Sequence, residues 1–234
     1  MPRYKIADIV CEIDTRCKET AHWYEPYLTD EPLDFPRTLT YSDSAAQHLV
    51  DVGKDLTMPL AENMLLTSKF NTTLLHFDGS YIHSSALKFK DKVYLFSGPS
   101  GVGKSTHTRR WCRLFPQETK ILNDDKPSFR FIDDKCYIYG TPFAGGTDIQ
   151  INEKGELGAI VFLEQADENR LVRLSPRQAI VELTTQTPNK RNAAIAEKML
   201  ELHSRLISEY PIYKLYCADN DESVSVAMDI TKNS

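Results

Sequence analysis

The chain has 234 residues, 41% of them hydrophobic and 26% charged, with a net charge of −5. That length suits one large domain, or one domain with a small N-terminal addition, and the acidic balance leaves no global basic footprint for nucleic acid. No apolar run approaches the roughly 20 residues of a membrane span, so no membrane partner is expected.

The opening Met1-Pro2-Arg3-Tyr4-Lys5 leads into Asp8, Glu12 and Asp14 and does not read as a signal peptide. Cys11, Cys17, Cys112, Cys136 and Cys217 are scattered and form no Cys-x-x-Cys pair. They read as reduced thiols of a cytoplasmic protein, with no zinc site.

Residues 4–13 alternate loosely and predict a strand. Trp23, Tyr24, Tyr27 and Leu28 lie at helical spacing within 19–28, where core packing explains the aromatics. Arg37–Tyr41 reads as a second strand, and the polar stretch 42–57 as irregular. Pro59 opens a helix, as proline does at a first helical position, with Ala61, Met64, Leu65, Ser68 and Leu75 inward. Asp78-Gly79 marks a turn. Tyr81–Phe89 predicts a strand, and Lys90-Asp91-Lys92 turns it into a second one, so that one hairpin carries both His83 and a glycine-rich loop.

The second strand, Val93-Tyr94-Leu95-Phe96, runs into Ser97-Gly98-Pro99-Ser100-Gly101-Val102-Gly103-Lys104-Ser105-Thr106. Gly98, Gly103, Lys104 and Ser105 satisfy the phosphate-loop pattern, and strand, glycine loop and helix is its required setting. Glycines let backbone N–H groups converge on an anion. The helix N-terminus adds about half a positive charge. Lys104 would reach the β- and γ-phosphates as a point charge, and the Ser105 hydroxyl would take one position on Mg²⁺. Gly98, Ser100, Gly101, Val102, Gly103, Lys104, Ser105 and Thr106 are the expected nucleotide contacts.

The loop helix runs from Lys104 to about Phe115, where Pro116 stops it. Next comes Ile121-Leu122-Asn123-Asp124-Asp125, two apolar residues ending in acids, as in the magnesium-side strand of phosphate-loop folds. An Asp-Asp pair is more commonly a solvated turn, and Asp133-Asp134, between strands at 129–131 and Cys136–Tyr139, reads as one. The loop 140–147 is rich in turn residues and long enough to lie over a substrate. Leu157–Leu163 is nearly continuously apolar, as a buried strand is. Leu171–Leu174 is a short strand, and Ser175-Pro176-Arg177-Gln178 a capping box opening a helix. Pro188 and Asn189 break the chain before a helix at 193–208, a strand at 213–217 and a helix at 222–230.

His83, the loop 98–105 and Asp124-Asp125 together resemble the catalytic domain of HPr kinase/phosphorylase, over roughly residues 80–165. ATP-dependent phosphoenolpyruvate carboxykinase shares the loop and acid pair more distantly. His-Ser-Ser-Ala, Asn-Asp-Asp-Lys-Pro and Gly-Thr-Pro-Phe are also similar to segments of small HPr kinase-related proteins found beside bacterial peptide-modification genes. The resemblance implies an α/β phosphate-loop domain over 76–234, with a mixed, partly antiparallel sheet flanked by helices, preceded by an α/β extension over 1–75. It implies Mg-ATP-dependent transfer to a Ser or Thr hydroxyl of a peptide or protein. Asp124 would be the general base, Asp125 would sit beside Mg²⁺, and His83 would lie next to Asp124 and orient it. Lys104 completes the implied catalytic set, and the hexameric members of the family extend the implication to a homo-oligomer. The glutamate-containing segment located after the acid pair in the family has no counterpart around Thr141–Ile151, so HPr itself and the reverse, phosphorylase reaction are not implied.

Two other functions fit the same residues. A nucleotide-binding regulator needs the loop and the metal but no base facing a hydroxyl, so Asp124 separates it from a kinase. A kinase for a small alcohol such as free serine would place a narrow closed pocket beside Asp124.

Overall fold

The computed structural model describes residues 1–34, 38–145, 147, 149–187 and 193–232. Arg37, Gly146, Pro188 and Asn189 lie outside the described residues.

The N-terminal strand is in fact a hairpin. β1 (Arg3–Ile6) and β2 (Ile9–Ile13) pair antiparallel across Ala7 and Asp8, both at positive φ. A left-handed turn built without glycine left no sequence mark. Next come α1 (Lys18–Tyr24) and β3 (Thr38–Leu39), which adds to β2 in parallel. The stretch expected to be irregular holds α2 (Asp43–Val52), whose first turn is capped by the Ser42 hydroxyl accepting from the Ala45 N–H. Ala46 is its one fully buried residue, so no apolar stripe announced it.

α3 (Met58–Leu74) buries Leu66, Phe70 and Leu74 against this small sheet. Met64 and Ser68, expected inward, face solvent. Glu62 is inward instead. Its carboxylate accepts from the backbone N–H groups of Arg16 and Cys17 and from the Tyr41 hydroxyl, at 2.6, 3.0 and 2.8 Å. A buried carboxylate is tolerable when so many donors meet it.

The remaining strands form one mixed sheet. They are β4 (Gly79–Tyr81), β5 (Ser84–Phe89), β6 (Lys92–Ser97), β7 (Thr119–Asn123), β8 (Ser128–Ile132), β9 (Lys135–Tyr139), β10 (Lys154–Gln165), β11 (Arg170–Arg173) and β12 (Ile212–Cys217). The order is β4-β8-β9-β10-β6-β5-β7, with β12 also on β10 and β11 on β12. The predicted strand 81–89 is interrupted at Ile82 and His83, because β4 pairs with β8 while β5 pairs with β6. β10 runs parallel to both β6 and β12, which explains its unbroken apolar run.

Helices cover both faces. α4 (Lys104–Leu114) and α7 (Glu222–Ala227) pack over Tyr94, Phe96, Val161 and Leu215. α5 (Pro176–Gln186) and α6 (Ala193–Glu209) cover Leu95, Ile160 and Phe162 on the opposite face. Neighbouring residues of one strand thus serve opposite layers, as the pleat requires. The capping box is present, with the Gln178 side chain accepting from the Ser175 N–H at 3.0 Å. All five cysteines are free thiols, and no described helix is long and apolar enough to cross a membrane.

Candidate functional site

β5 is antiparallel to both β6 and β7, so β6 and β7 run the same way with β5 between them. Their C-terminal ends and the start of β5 therefore meet at one edge of the sheet. That edge carries the glycine loop after Ser97, the acid pair after Asn123 and His83 just before Ser84. The C-termini of β10 and β12 point the same way, since both run parallel to β6. Ligands of α/β sheets collect at such an edge.

The loop's backbone needs its glycines. Gly98, Gly101 and Gly103 have φ of +139°, +80° and +106°. A Cβ on Gly98 would stand 3.1 Å from both the Leu163 carbonyl oxygen and Val102 Cγ1, whereas nothing lies within 4 Å of a Cβ at 101 or 103. Gly103 caps α4 in the left-handed conformation, so the free N–H groups of the first helical turn come directly after the loop. Lys104 folds back here, with Nζ donating to the carbonyls of Gly98 and Pro99 at 2.9 and 3.1 Å. Burial lowers the pKa of its ammonium, and Asp125 and then Asp124 pull it back up. Ser105, in the first turn of α4, is half-buried, and Thr106 and Ser100 are exposed. A cleft of 620 Å³ opens beside the loop, between Gly101, Val102, Thr106 and Arg110 on one side and Gln165 and Cys217 at the strand ends on the other. Its volume falls within the roughly 300–1,000 Å³ of small-molecule sites.

The two acids diverge within the bend that follows β7. Asp124 turns inward. Its side chain has no exposed surface, and its Oδ2 lies 3.4 Å from the guanidinium of Arg109 on α4. Among the described residues its Oδ1 has no hydrogen-bond partner. Asp125, whose side chain is 14% exposed, has Oδ1 3.3 Å from His83 Nε2 and Oδ2 paired to the ammonium of Lys126. His83 thus stands beside Asp125, not beside Asp124 as the resemblance implies. Burial, and then the Lys104 ammonium, hold the His83 imidazole below the ordinary histidine range, with Asp125 opposing them.

Asn123 sets this geometry. Its Oδ1 accepts from the N–H groups of Asp125 and Lys126 at 2.9 and 2.8 Å, and its Nδ2 donates to the Thr141 carbonyl at 2.8 Å. This Asx turn bends the chain so that both acids remain at the sheet edge. Lys126, directly after the acids, and Gly145, in the loop 140–147, also belong to the site. A Cβ on Gly145 would meet Asp125 Oδ2 at 2.5 Å.

The loop 140–147 is no free cover. Thr141, Phe143 and Ala144 are buried, and Asn63 Nδ2 holds the Pro142 carbonyl at 3.1 Å. Its described part is a fixed wall. With α3 it encloses a second, smaller cavity of 260 Å³, which Asp124, Asp125 and Lys126 also line.

The residues present suit a hard divalent cation with a nucleotide. An unpartnered buried carboxylate oxygen, a second carboxylate countered by an ammonium and the Ser105 hydroxyl are all oxygen donors. Among the described residues no three His, Cys, Asp or Glu side chains form a ready cage, and Mg²⁺ characteristically uses one or two protein oxygens together with phosphates.

No family model and no curated protein matches the chain. Among solved structures, the HPr(Ser) kinase/phosphatase from Coxiella burnetii is similar, at 13% identity and a TM-score of 0.38, over 66% of this chain and 95% of that one. At that score and identity the likeness carries no weight for the chemistry.

Proposed function

We propose that the chain is a Mg-ATP-dependent phosphotransferase that moves the γ-phosphoryl group of ATP to a Ser or Thr hydroxyl of a peptide or protein. The observation that carries this is the convergence of phosphate loop, acid pair and His83 at one sheet edge, with a nucleotide-sized cleft on one side and a smaller cavity on the other.

The loop N–H groups and Lys104 take the phosphates once Lys104 leaves the carbonyls of Gly98 and Pro99. Ser105 and Asp125 would hold Mg²⁺, which when bound neutralises charge on the phosphate oxygens. Asp124 Oδ1, the unpartnered oxygen, takes the proton of the acceptor hydroxyl once its side chain, closed off from solvent beside Arg109, opens to the 260 Å³ cavity. The acceptor oxygen forms its bond to the γ-phosphorus as the bridge to the β-phosphate breaks, and ADP leaves with that electron pair. His83 positions Asp125 through the 3.3 Å contact. Base assistance supplies about 10²–10⁴ in rate, and placement and charge supply the rest.

The 260 Å³ volume also suits a small alcohol. Its apolar wall of Leu56, Leu60 and Met64 offers a zwitterion such as free serine little, which favours the peptide acceptor.

The test is transfer of labelled γ-phosphate from ATP, with Mg²⁺, into a peptide and protein extract and into free serine, for wild type, Lys104→Ala and Asp124→Asn. Label on Ser or Thr of a polypeptide, lost in both variants, is expected. ATP binding without transfer to any acceptor, and indifference to Asp124→Asn, would leave a nucleotide-binding regulatory module instead.

A further inference from the structure

We infer that the apolar edge of α3 beside the acid pair, Leu60 and Met64 above all, selects the acceptor, which carries an apolar side chain next to its reactive hydroxyl. This builds on the phosphotransferase reading and specifies its substrate.

The 260 Å³ cavity shares no lining residue with the 620 Å³ cleft. It lies below the roughly 300–1,000 Å³ of small-molecule sites, so it suits a side chain or two and not a nucleotide. Its composition is split between elements. The acids and Lys126 come from the end of β7, while Leu60 and Met64 come from α3, with Leu56 just ahead of them and Phe143 from the opposing loop. An entering hydroxyl comes up against the acid pair, and a group beside it meets Leu56, Leu60, Met64 and Phe143, with Asn63, Thr67 and Thr147 as the polar remainder of the lining.

The apolar wall is left partly uncovered. Leu56 and Leu60 are half-buried, and Met64 is 48% exposed although it sits on a helix with a well-filled inner face. Methionine adapts its shape to a range of apolar partners. The opposite wall is fixed: Phe143 packs edge-on against Tyr24 at 6.1 Å and tilted on Phe70 at 5.3 Å. Asn63 accepts from the Tyr24 hydroxyl at 3.0 Å while donating to the Pro142 carbonyl. A rigid wall facing an adaptable one gives selection by polarity and size without a moving lid.

The experiment uses the full chain with an array of peptides that vary both neighbours of a central Ser or Thr. Wild type, Met64→Lys and Leu60→Gln are compared for label transfer from ATP and for affinity toward a fluorescent ATP analogue. Wild type is expected to favour Leu, Met or Phe beside the hydroxyl by about tenfold over charged residues, the lower end of what an apolar pocket discriminates. Met64→Lys places a cation on an already exposed position. It should abolish that preference and shift the profile toward acidic neighbours, with nucleotide affinity unchanged, and Leu60→Gln should weaken the preference without reversing it. Transfer with no neighbour preference, or a Met64→Lys profile identical to wild type, overturns the inference and leaves the phosphotransferase standing. Transfer to free serine alone also overturns it. No label on any acceptor, with ATP still bound, removes both together.

Discussion

The Arg109 guanidinium, on a side chain 57% exposed, lies 3.4 Å from a carboxylate oxygen of Asp124 that solvent does not reach. The exposed partner can leave for water, but the buried one cannot. Arg109→Gln should therefore lower stability by about 1–2 kcal/mol, less than the roughly 3–5 kcal/mol for breaking a fully buried pair. In an Asp124→Asn background the same change should cost almost nothing. Urea unfolding of the four proteins of this cycle measures the coupling, and equal losses in both backgrounds would show that the pair does not interact.

Gly98 and Gly145 are each required by space as well as by φ, and they separate two halves of the site. Gly98→Ala forces a methyl toward the Leu163 carbonyl and Val102, which should distort the phosphate cradle and weaken ATP binding about tenfold or more. Gly145→Ala forces one onto Asp125, so transfer should fall about 10²-fold while nucleotide affinity changes far less. Isothermal titration with ATP beside a transfer assay distinguishes the two.

Lys104→Ala should lose both affinity and transfer, with kcat down about 10²–10³-fold, the scale for removing one charge-stabilising donor. Lys104→Arg should restore little of it, because a planar fork does not replace a compact ammonium. Full rescue by arginine would mean that Lys104 serves the fold of the loop and not the phosphates.

His107 makes stability depend on pH. Its Nε2 accepts from the Trp111 indole N–H at 3.1 Å, and its Nδ1 faces a Ser223 hydroxyl that itself donates to the Asn220 carbonyl. The ring is therefore neutral, with its proton on Nδ1, and a second proton would point at another donor. Burial, and then Arg110, depress its pKa from 6.5 to about 4. Between those values the unfolded chain binds a proton that the native chain refuses. The contribution is whole above pH 6.5 and is lost as pH falls toward 4, by about 2–3 kcal/mol at pH 4.5. Denaturation at pH 7 and pH 4.5 should show a smaller drop for His107→Gln than for wild type, and an equal drop would sink the assignment.

The loop was legible because its function constrains the backbone directly: glycine spacing reports positive φ at Gly98 and Gly103, and a preceding β-prone run reports the strand. The 84–97 hairpin and the buried β10 were readable from the period and continuity of apolar residues. What escaped was information held by neighbours distant in the chain. α2 hides because its inner face is essentially Ala46. The direction of each acid was also hidden, since nothing local tells which of two adjacent aspartates turns toward α4. The His83–Asp125 contact depends on the break between β4 and β5, and that break is decided by β8.

Tyr24 and Phe70, deep in the N-terminal core, brace Phe143, while the glycine loop is braced by Leu163 and the central strands. The loop wall of the smaller cavity and the glycine loop are thus held by different parts of the chain. Substitutions in the first seventy-odd residues therefore reach the 260 Å³ cavity through Phe143, while the supports of the glycine loop stay in place.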